Sequence, residues 1–315
     1  MAIRHVGAAR ELRVRSDDGS ELHVEVRGPS DGPTVVLSHC WATSLASWGP
    51  VVRELAPHLR VVLYDQRGHG RSPAPLTRAG YGAEKLADDL CAVLAATVPE
   101  GHRAVVAGHS MGGMTVMAAG DREVFREKAG AVLLTNTGCT ELTKRARAIP
   151  LPGPLGTLGS QVFLRAPLPL GPPNPVTDLA LQYVCMSMKA DPRMVRLCMR
   201  MVHACNGVVR GRWGEVMTGL DLDDTVRRIT VPAVVAVGTE DRMTPPWHAH
   251  HIASLLGDCR EVREVEGAGH MGPLEYPEVL AEMVERLAKE CAGGPAGSVG
   301  EGAPGDPGHR KAAAR

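Results

Sequence analysis

Aromatic residues are scarce: two Phe, four Tyr and four Trp make up 3% of 315 residues. A surface that stacks nucleotide bases needs more rings than that, so a nucleic-acid platform is not expected. An excess of one charge is lacking too. Thirty-five Lys and Arg balance thirty-five Asp and Glu, which leaves no field for an anionic polymer or a membrane surface. No run of about 18 apolar residues occurs, so no membrane span is expected. The eight cysteines, at 40, 91, 139, 185, 198, 205, 259 and 291, include no Cys-x-x-Cys pair. Neither a zinc site nor a thioredoxin-like motif is suggested. Met1 to Arg10 holds no apolar signal core, so the expectation is a cytoplasmic protein with reduced thiols.

What is present is an ordinary globular chain, 44% apolar, long enough for one large domain or a domain with an insertion. Leu12 and Val14, then Leu22, Val24 and Val26, alternate around a polar turn at 16–20, which predicts two short strands. Continuous apolar runs at 34–38, 61–64, 104–107, 131–135 and 231–237 read as strands buried on both faces. Helical spacing separates them at about 47–59, 81–97 and 247–256. A strand at 261–265 and a last helix at about 277–291 follow. Strands alternating with helices predict an α/β fold with a mostly parallel sheet, whose ligand site lies beyond the carboxyl ends of the strands. At about residue 139 the composition changes. Residues 149–175 are dense in Pro, Gly and Leu, and 176–218 are rich in Met at helical spacing. This stretch, 139–222, is expected to be a helical lid, with 1–138 and 223–291 as the core. Its methionines are expected to pack between lid and body. Residues 292–315, mainly Gly, Pro, Ala and charge, are expected to be a disordered tail.

One stretch carries chemistry. Ala104-Val105-Val106-Ala107 runs into Gly108-His109-Ser110-Met111-Gly112-Gly113 and then an Ala/Met-rich helical segment. A Gly-x-Ser-x-Gly sequence between a strand and a helix can present a serine alone on a sharp turn. The helix start beyond it offers N–H groups to a developing negative charge. Serine also needs a base and an orienting acid. Asp241 follows one later strand and His270 follows the next, both at the same predicted sheet edge.

With these residues in that order, the chain resembles the α/β-hydrolase superfamily over about residues 20–290. The matching motifs are Ser38-His39-x-Trp41, Asp65-Gln66-Arg67-Gly68-His69-Gly70-x-Ser72, Gly108-x-Ser110-x-Gly112, Gly238-x-x-Asp241-x-x-x-Pro245 and Gly269-His270. The resemblance is to its lid-bearing serine branch, which holds carboxylesterases, proline-iminopeptidase-like enzymes and cofactor-free haloperoxidases. It implies an eight-stranded sheet with the lid inserted after the sixth strand. It also implies Ser110 as nucleophile, His270 as base and acid, and Asp241 as the group that orients His270. The backbone N–H groups of Met111 and Trp41 would form the oxyanion hole. Cys40 stands where the family usually has glycine. Cys40, His109, Met186 and Met271 are the candidate substrate contacts. No metal and no cofactor are implied.

Some residues keep a second reading. Asp241 can serve as a helix N-cap, and Glu240 beside it is a rival acid. Asp65, Arg67 and His69 resemble a site but read as structural in this family. His248, His250 and His251 read as a solvated helix face. The expected reaction is acyl transfer from a small apolar ester or related substrate to water. The alternatives are a lyase, cyclase or perhydrolase on the same scaffold, or a receptor in which hydrolysis is vestigial.

Overall fold

The computed structural model describes residues 9–292, apart from 152, 168–169 and 172–173. The expected tail therefore lies outside the described residues from 293 on. Eight strands form one sheet: β1 Arg10–Arg15, β2 Glu21–Arg27, β3 Thr34–Ser38, β4 Arg60–Tyr64, β5 Ala104–His109, β6 Ala129–Thr135, β7 Ala233–Gly238 and β8 Cys259–Val265. Their spatial order is β1-β2-β4-β3-β5-β6-β7-β8. The hairpin β1–β2 and the β2–β4 pair are antiparallel. Every pairing from β4 through β3 to β8 is parallel.

Successive side chains of the central strands point to opposite layers, as strand geometry demands. Val36, Val62, Val106 and Val132 face one core with Leu86, Leu90, Met114 and Met117. These come from helices α2 (Ala83–Thr97) and α3 (Met111–Ala118). Val35, Leu63, Val105 and Leu133 face the other core, with Trp48, Val52, Leu55, Leu280 and Val284. Those come mainly from α1 (Gly49–Leu55) and α13 (Pro277–Leu287). With a helix layer on each face, β3, β5, β6 and β7 are buried along their whole length. This explains why they read as apolar runs without alternation.

Between α3 and β6 lies a short helix, α4 (Glu123–Lys128), which the sequence pattern did not mark. Between β6 and β7 the chain leaves the sheet and, among the described residues, forms six helices: α5 (Leu142–Arg145), α6 (Gly153–Arg165), α7 (Pro175–Cys185), α8 (Pro192–Ala204), α9 (Gly207–Thr218) and α10 (Asp223–Val226). At its neck, the Leu222 N–H donates to Cys139 O at 2.9 Å. Met186 and Met199 are buried in a cluster with Cys40, Cys198 and Met271, whereas Met188 is exposed. Two indoles tie this insertion to the sheet edge in opposite senses. Trp41 Nε1 donates to Arg210 O at 2.9 Å, and Trp213 Nε1 donates to Arg67 O at 3.2 Å. After β7 come α11 (Pro246–Leu255), β8, the short α12 (Gly272–Glu275) and α13.

Candidate active site

Ser110 sits at the end of β5 with φ 53° and ψ −116°, a conformation L residues rarely adopt. The turn closes only because its neighbours lack side chains. A Cβ on Gly108 would lie 2.4 Å from Gly112 O, and one on Gly112 would lie 2.2 Å from Ser38 O. The turn is braced from outside, where Thr137 Oγ1 donates to Ser110 O at 2.7 Å. Met111 opens α3, so its N–H stands outside the helical hydrogen-bond ladder.

Three side chains form one hydrogen-bonded line. Ser110 Oγ lies 2.9 Å from His270 Nε2, and His270 Nδ1 lies 2.9 Å from Asp241 Oδ2. All three residues are buried. Asp241 Oδ1 accepts the N–H groups of Met243 and Thr244, both at 2.9 Å. Oδ2 accepts Thr244 Oγ1 at 2.8 Å and Asn136 Nδ2 at 2.9 Å. Burial alone would raise the Asp241 carboxyl, but the facing His270 and the donors from Asn136 and Thr244 hold it below the usual carboxylate range. The helix N-cap alternative resolves here: α11 is capped at Pro245, and Asp241 closes the turn before it. Glu240 turns away from His270 and accepts the Ser187 hydroxyl at 3.0 Å.

The loop after β3 is fixed by two neutral histidines. His39 Nε2 accepts the Gln66 N–H at 2.9 Å, so its Nδ1 carries the proton and donates to Cys40 O at 2.7 Å. His69 Nε2 accepts the Ala42 N–H at 3.2 Å. Burial lowers His39 to about 4 and His69 to about 3. Ala42 takes the positive φ in this loop, 58°. Cys40 is not among the residues of positive φ, so a side chain there meets no backbone strain. Its Sγ packs 3.3 Å from Thr43 Oγ1 and 3.9 Å from Met271 Sδ. Burial pushes the Cys40 thiol up to about 12.

The Asp65–Ser72 loop is a strut. Asp65 accepts the N–H groups of Leu45 and Arg71, both at 2.9 Å. Arg67 forms a two-pronged pair with Asp89 at 2.5 and 2.6 Å and reaches Asp18 at 2.9 Å.

Two cavities meet at Ser110 and His270. The larger, about 350 Å³, is walled by Cys40, Trp41, Phe163, Leu181, Cys185, Val202 and Met271. The smaller, about 40 Å³, lies among Met114, Leu142, Ala148, Leu164 and Met217. Trp41 borders both. Three of the sequence expectations differ here. His109 was expected to touch substrate, but it lies beneath the site. It is fully buried, its Nε2 is 2.8 Å from His270 O, and it borders neither cavity. Met186 is buried behind the wall, against Gly269, and does not line the larger cavity. The histidine run on α11 is not a solvated face. His248 is fully buried against Gly138 and lowered by burial to about 4. His250 is exposed, 2.7 Å from Glu264, and His251 meets Asp223 at 3.1 Å.

The sequence reading missed two residues that shape the site. Asn136, at φ 46°, donates to both Asp241 Oδ2 and Gly269 O, and its Oδ1 accepts from Thr135 and Tyr276. Its place just after β6, at the same sheet edge, was the available signal. Glu275 on α12 accepts the N–H groups of Gly269 and Met271, on either side of His270, and of Ser187 in the insertion, each at 2.9 Å.

Comparison with known proteins agrees with this architecture. The enol-lactonase of Burkholderia xenovorans LB400 superposes with a TM-score of 0.72 at 26% identity, over 89% of this chain and 100% of that one. A non-heme chloroperoxidase of Streptomyces lividans is 28% identical over 284 residues, 85% of this chain and 95% of its own length. The 3-oxoadipate enol-lactonase 1 of Acinetobacter baylyi is 24% identical over 287 residues, 88% and 97% of the two chains. The profile of the alpha/beta hydrolase family matches residues 35–283, and the chain therefore belongs to that family of enzymes.

Proposed function

We propose that the protein is a serine hydrolase that cleaves a carboxylic ester or related acyl bond of a small, largely apolar substrate. The observation that carries this reading is the Ser110–His270–Asp241 line, with 2.9 Å at each step. His270 Nε2 takes the Ser110 proton as Oγ bonds to the acyl carbon. The oxyanion that forms is held by the N–H groups of Met111 and Trp41, where one donor is worth about 3 kcal/mol of transition-state stabilisation. The C–O bond to the leaving group breaks, and that group departs with the proton from His270. Water, deprotonated by His270, then frees the acid and restores Ser110. The apolar walls of the 350 Å³ cavity, within the roughly 300–1,000 Å³ typical of small-ligand sites, support the substrate class. The named activity of the enol-lactonase relatives, opening of a cyclic ester, supports the bond type.

A fluorophosphonate probe and a series of p-nitrophenyl esters, short to medium in chain length, test this. Wild type is expected to label and turn over, and Ser110→Ala to do neither. Folded wild type that neither labels nor hydrolyses any chain length would overturn the proposal and favour a receptor. The chloroperoxidase relative favours one second reading, in which hydrogen peroxide replaces water in the second step and a peracid leaves. Peracid formation from acetate and peroxide, faster than ester hydrolysis, would select it.

A further inference from the structure

Away from Ser110, three side chains with different donor atoms converge at the neck of the insertion. Cys139 lies just beyond β6, where the chain leaves the sheet. Asp223 opens α10, where it returns, and His251 lies on α11. Asp223 Oδ1 is 3.2 Å from Cys139 Sγ and 3.1 Å from His251 Nε2, and Asp223 Oδ2 is also 3.1 Å from Nε2. Sulfur, oxygen and nitrogen all lie within 4.8 Å of one another.

These separations approach the edges of a coordination polyhedron. Tetrahedral Zn2+, with bonds of about 2.0 Å to nitrogen and oxygen and about 2.3 Å to sulfur, holds its ligand atoms roughly 3.3–3.5 Å apart. Opening the two edges from Asp223, 3.2 Å to sulfur and 3.1 Å to nitrogen, by a few tenths of an ångström brings them to that spacing. The donor set also selects the metal. Magnesium and calcium take oxygen ligands, whereas a thiolate, an imidazole and a carboxylate together suit zinc. Three protein ligands leave one position for water.

The surroundings hold the ligands in place. Trp247 stacks on the His251 ring at 4.9 Å with 8° between planes, and Arg145 covers Trp247 at 4.0 Å. The Cys139 carbonyl accepts the Leu222 N–H, and the Asp223 N–H donates to Asp221 Oδ1 at 3.3 Å. Cys139 is fully buried, but Asp223 and His251 are each about a quarter exposed, which gives an ion a way in.

We propose that Cys139, Asp223 and His251 form a zinc site that clasps the two ends of the insertion to α11. Binding displaces the Cys139 thiol proton to solvent and leaves a thiolate on the metal. His251 binds through Nε2 with its proton on Nδ1. The ion would then cross-link the first and last turns of the insertion to the core.

The full chain, stripped with EDTA and titrated with cobalt(II), tests this. One equivalent is expected to bind, giving a sulfur-to-cobalt charge-transfer band that zinc(II) bleaches. Zinc is also expected to raise the melting temperature. Cys139→Ser should lose the sulfur band. His251→Gln, changed at a partly exposed position that spares the fold, should weaken zinc at least about tenfold. No sulfur band in wild type, a band that survives Cys139→Ser, or unchanged zinc affinity in His251→Gln would each overturn the proposal. None of these readouts depends on ester hydrolysis, so this proposal and the reading of Ser110 can fail separately.

Discussion

Asp241 divides its two carboxylate oxygens between two tasks. Oδ1 closes a backbone turn through Met243 and Thr244, and Oδ2 faces His270 with Asn136 beside it. Because the folded carboxyl is held below its unfolded value, it adds stability above the ordinary carboxylate pKa of about 3.9. That stability disappears as pH falls through the lowered value. Asn136→Asp keeps the size of the side chain but sets a second carboxylate against Oδ2. Like charges in contact raise the pKa of the carboxylates. The acid limb of kcat/KM is therefore expected to move to higher pH, with KM little changed, in a pH–rate profile. An unmoved limb would show that Asn136 only fills space. Ser110, Asp241 and His270 were legible in the sequence because each follows an apolar strand in a recognisable order. Asn136 was not, since a single polar residue after a strand has many uses. His109 was misread for a geometric reason. Adjacent residues at a strand end point to opposite sides, so the neighbour of the serine that borders the cavities lies beneath it.

At the scale of elements, α12 is only four residues long, Gly272–Glu275, yet it sets the His270 loop. Burial raises the Glu275 carboxyl even though three N–H groups point at it. Its contribution to stability is thus greatest below the ordinary glutamate pKa and is lost as pH rises through the raised value. Glu275→Gln replaces one acceptor oxygen by an amide group that cannot accept. Either the Met271 N–H or both the Ser187 and Gly269 N–H groups must then go unpaired. The expected cost is about 1.5–3 kcal/mol of stability, read by urea unfolding, together with a fall in kcat larger than any change in KM. Equal stability and equal kcat would mean that the loop holds itself. Neither α12 nor α6 was legible. Four residues are too few for a periodic pattern, and Gly153, Gly156 and Gly159 weaken the helical signal of α6. Tertiary packing overrides that propensity, because Gly214 on α9 lets Leu164 O approach to 1.9 Å from where a Cβ would stand.

Across the whole molecule, the strut at Arg67 links the hairpin turn, the loop after β4 and α2 through Asp18 and Asp89. Arg67 and Asp89 side chains are each 1% exposed. Asp89→Ala would strand a buried guanidinium and is expected to cost about 3–5 kcal/mol. The double change Arg67→Met with Asp89→Leu should recover most of that in thermal unfolding. A small loss in Asp89→Ala alone would mean that Asp18 neutralises Arg67 unaided. The parallel sheet and its two helix layers were legible at this scale, because burial on both faces writes itself as apolar runs. The paths of the six inserted helices were not, since their contacts join residues far apart in the chain.

The reciprocal indole bonds have an optical consequence. Trp41 reaches from the core to a carbonyl of the insertion, and Trp213 reaches from the insertion to a carbonyl of the core. Of the four tryptophans, Trp48 is sealed in the far core and Trp247 lies on α11. Two of the chain's four indoles therefore report on the joint between roof and floor. If the roof lifts to admit substrate, both of these fluorophores exchange a carbonyl for water and their emission shifts to the red. Stopped-flow mixing with a phosphonate ester would time that step with no added label. A trace that stays flat in wild type, while the phosphonate bonds to Ser110, would mean that substrate enters past a roof that does not move.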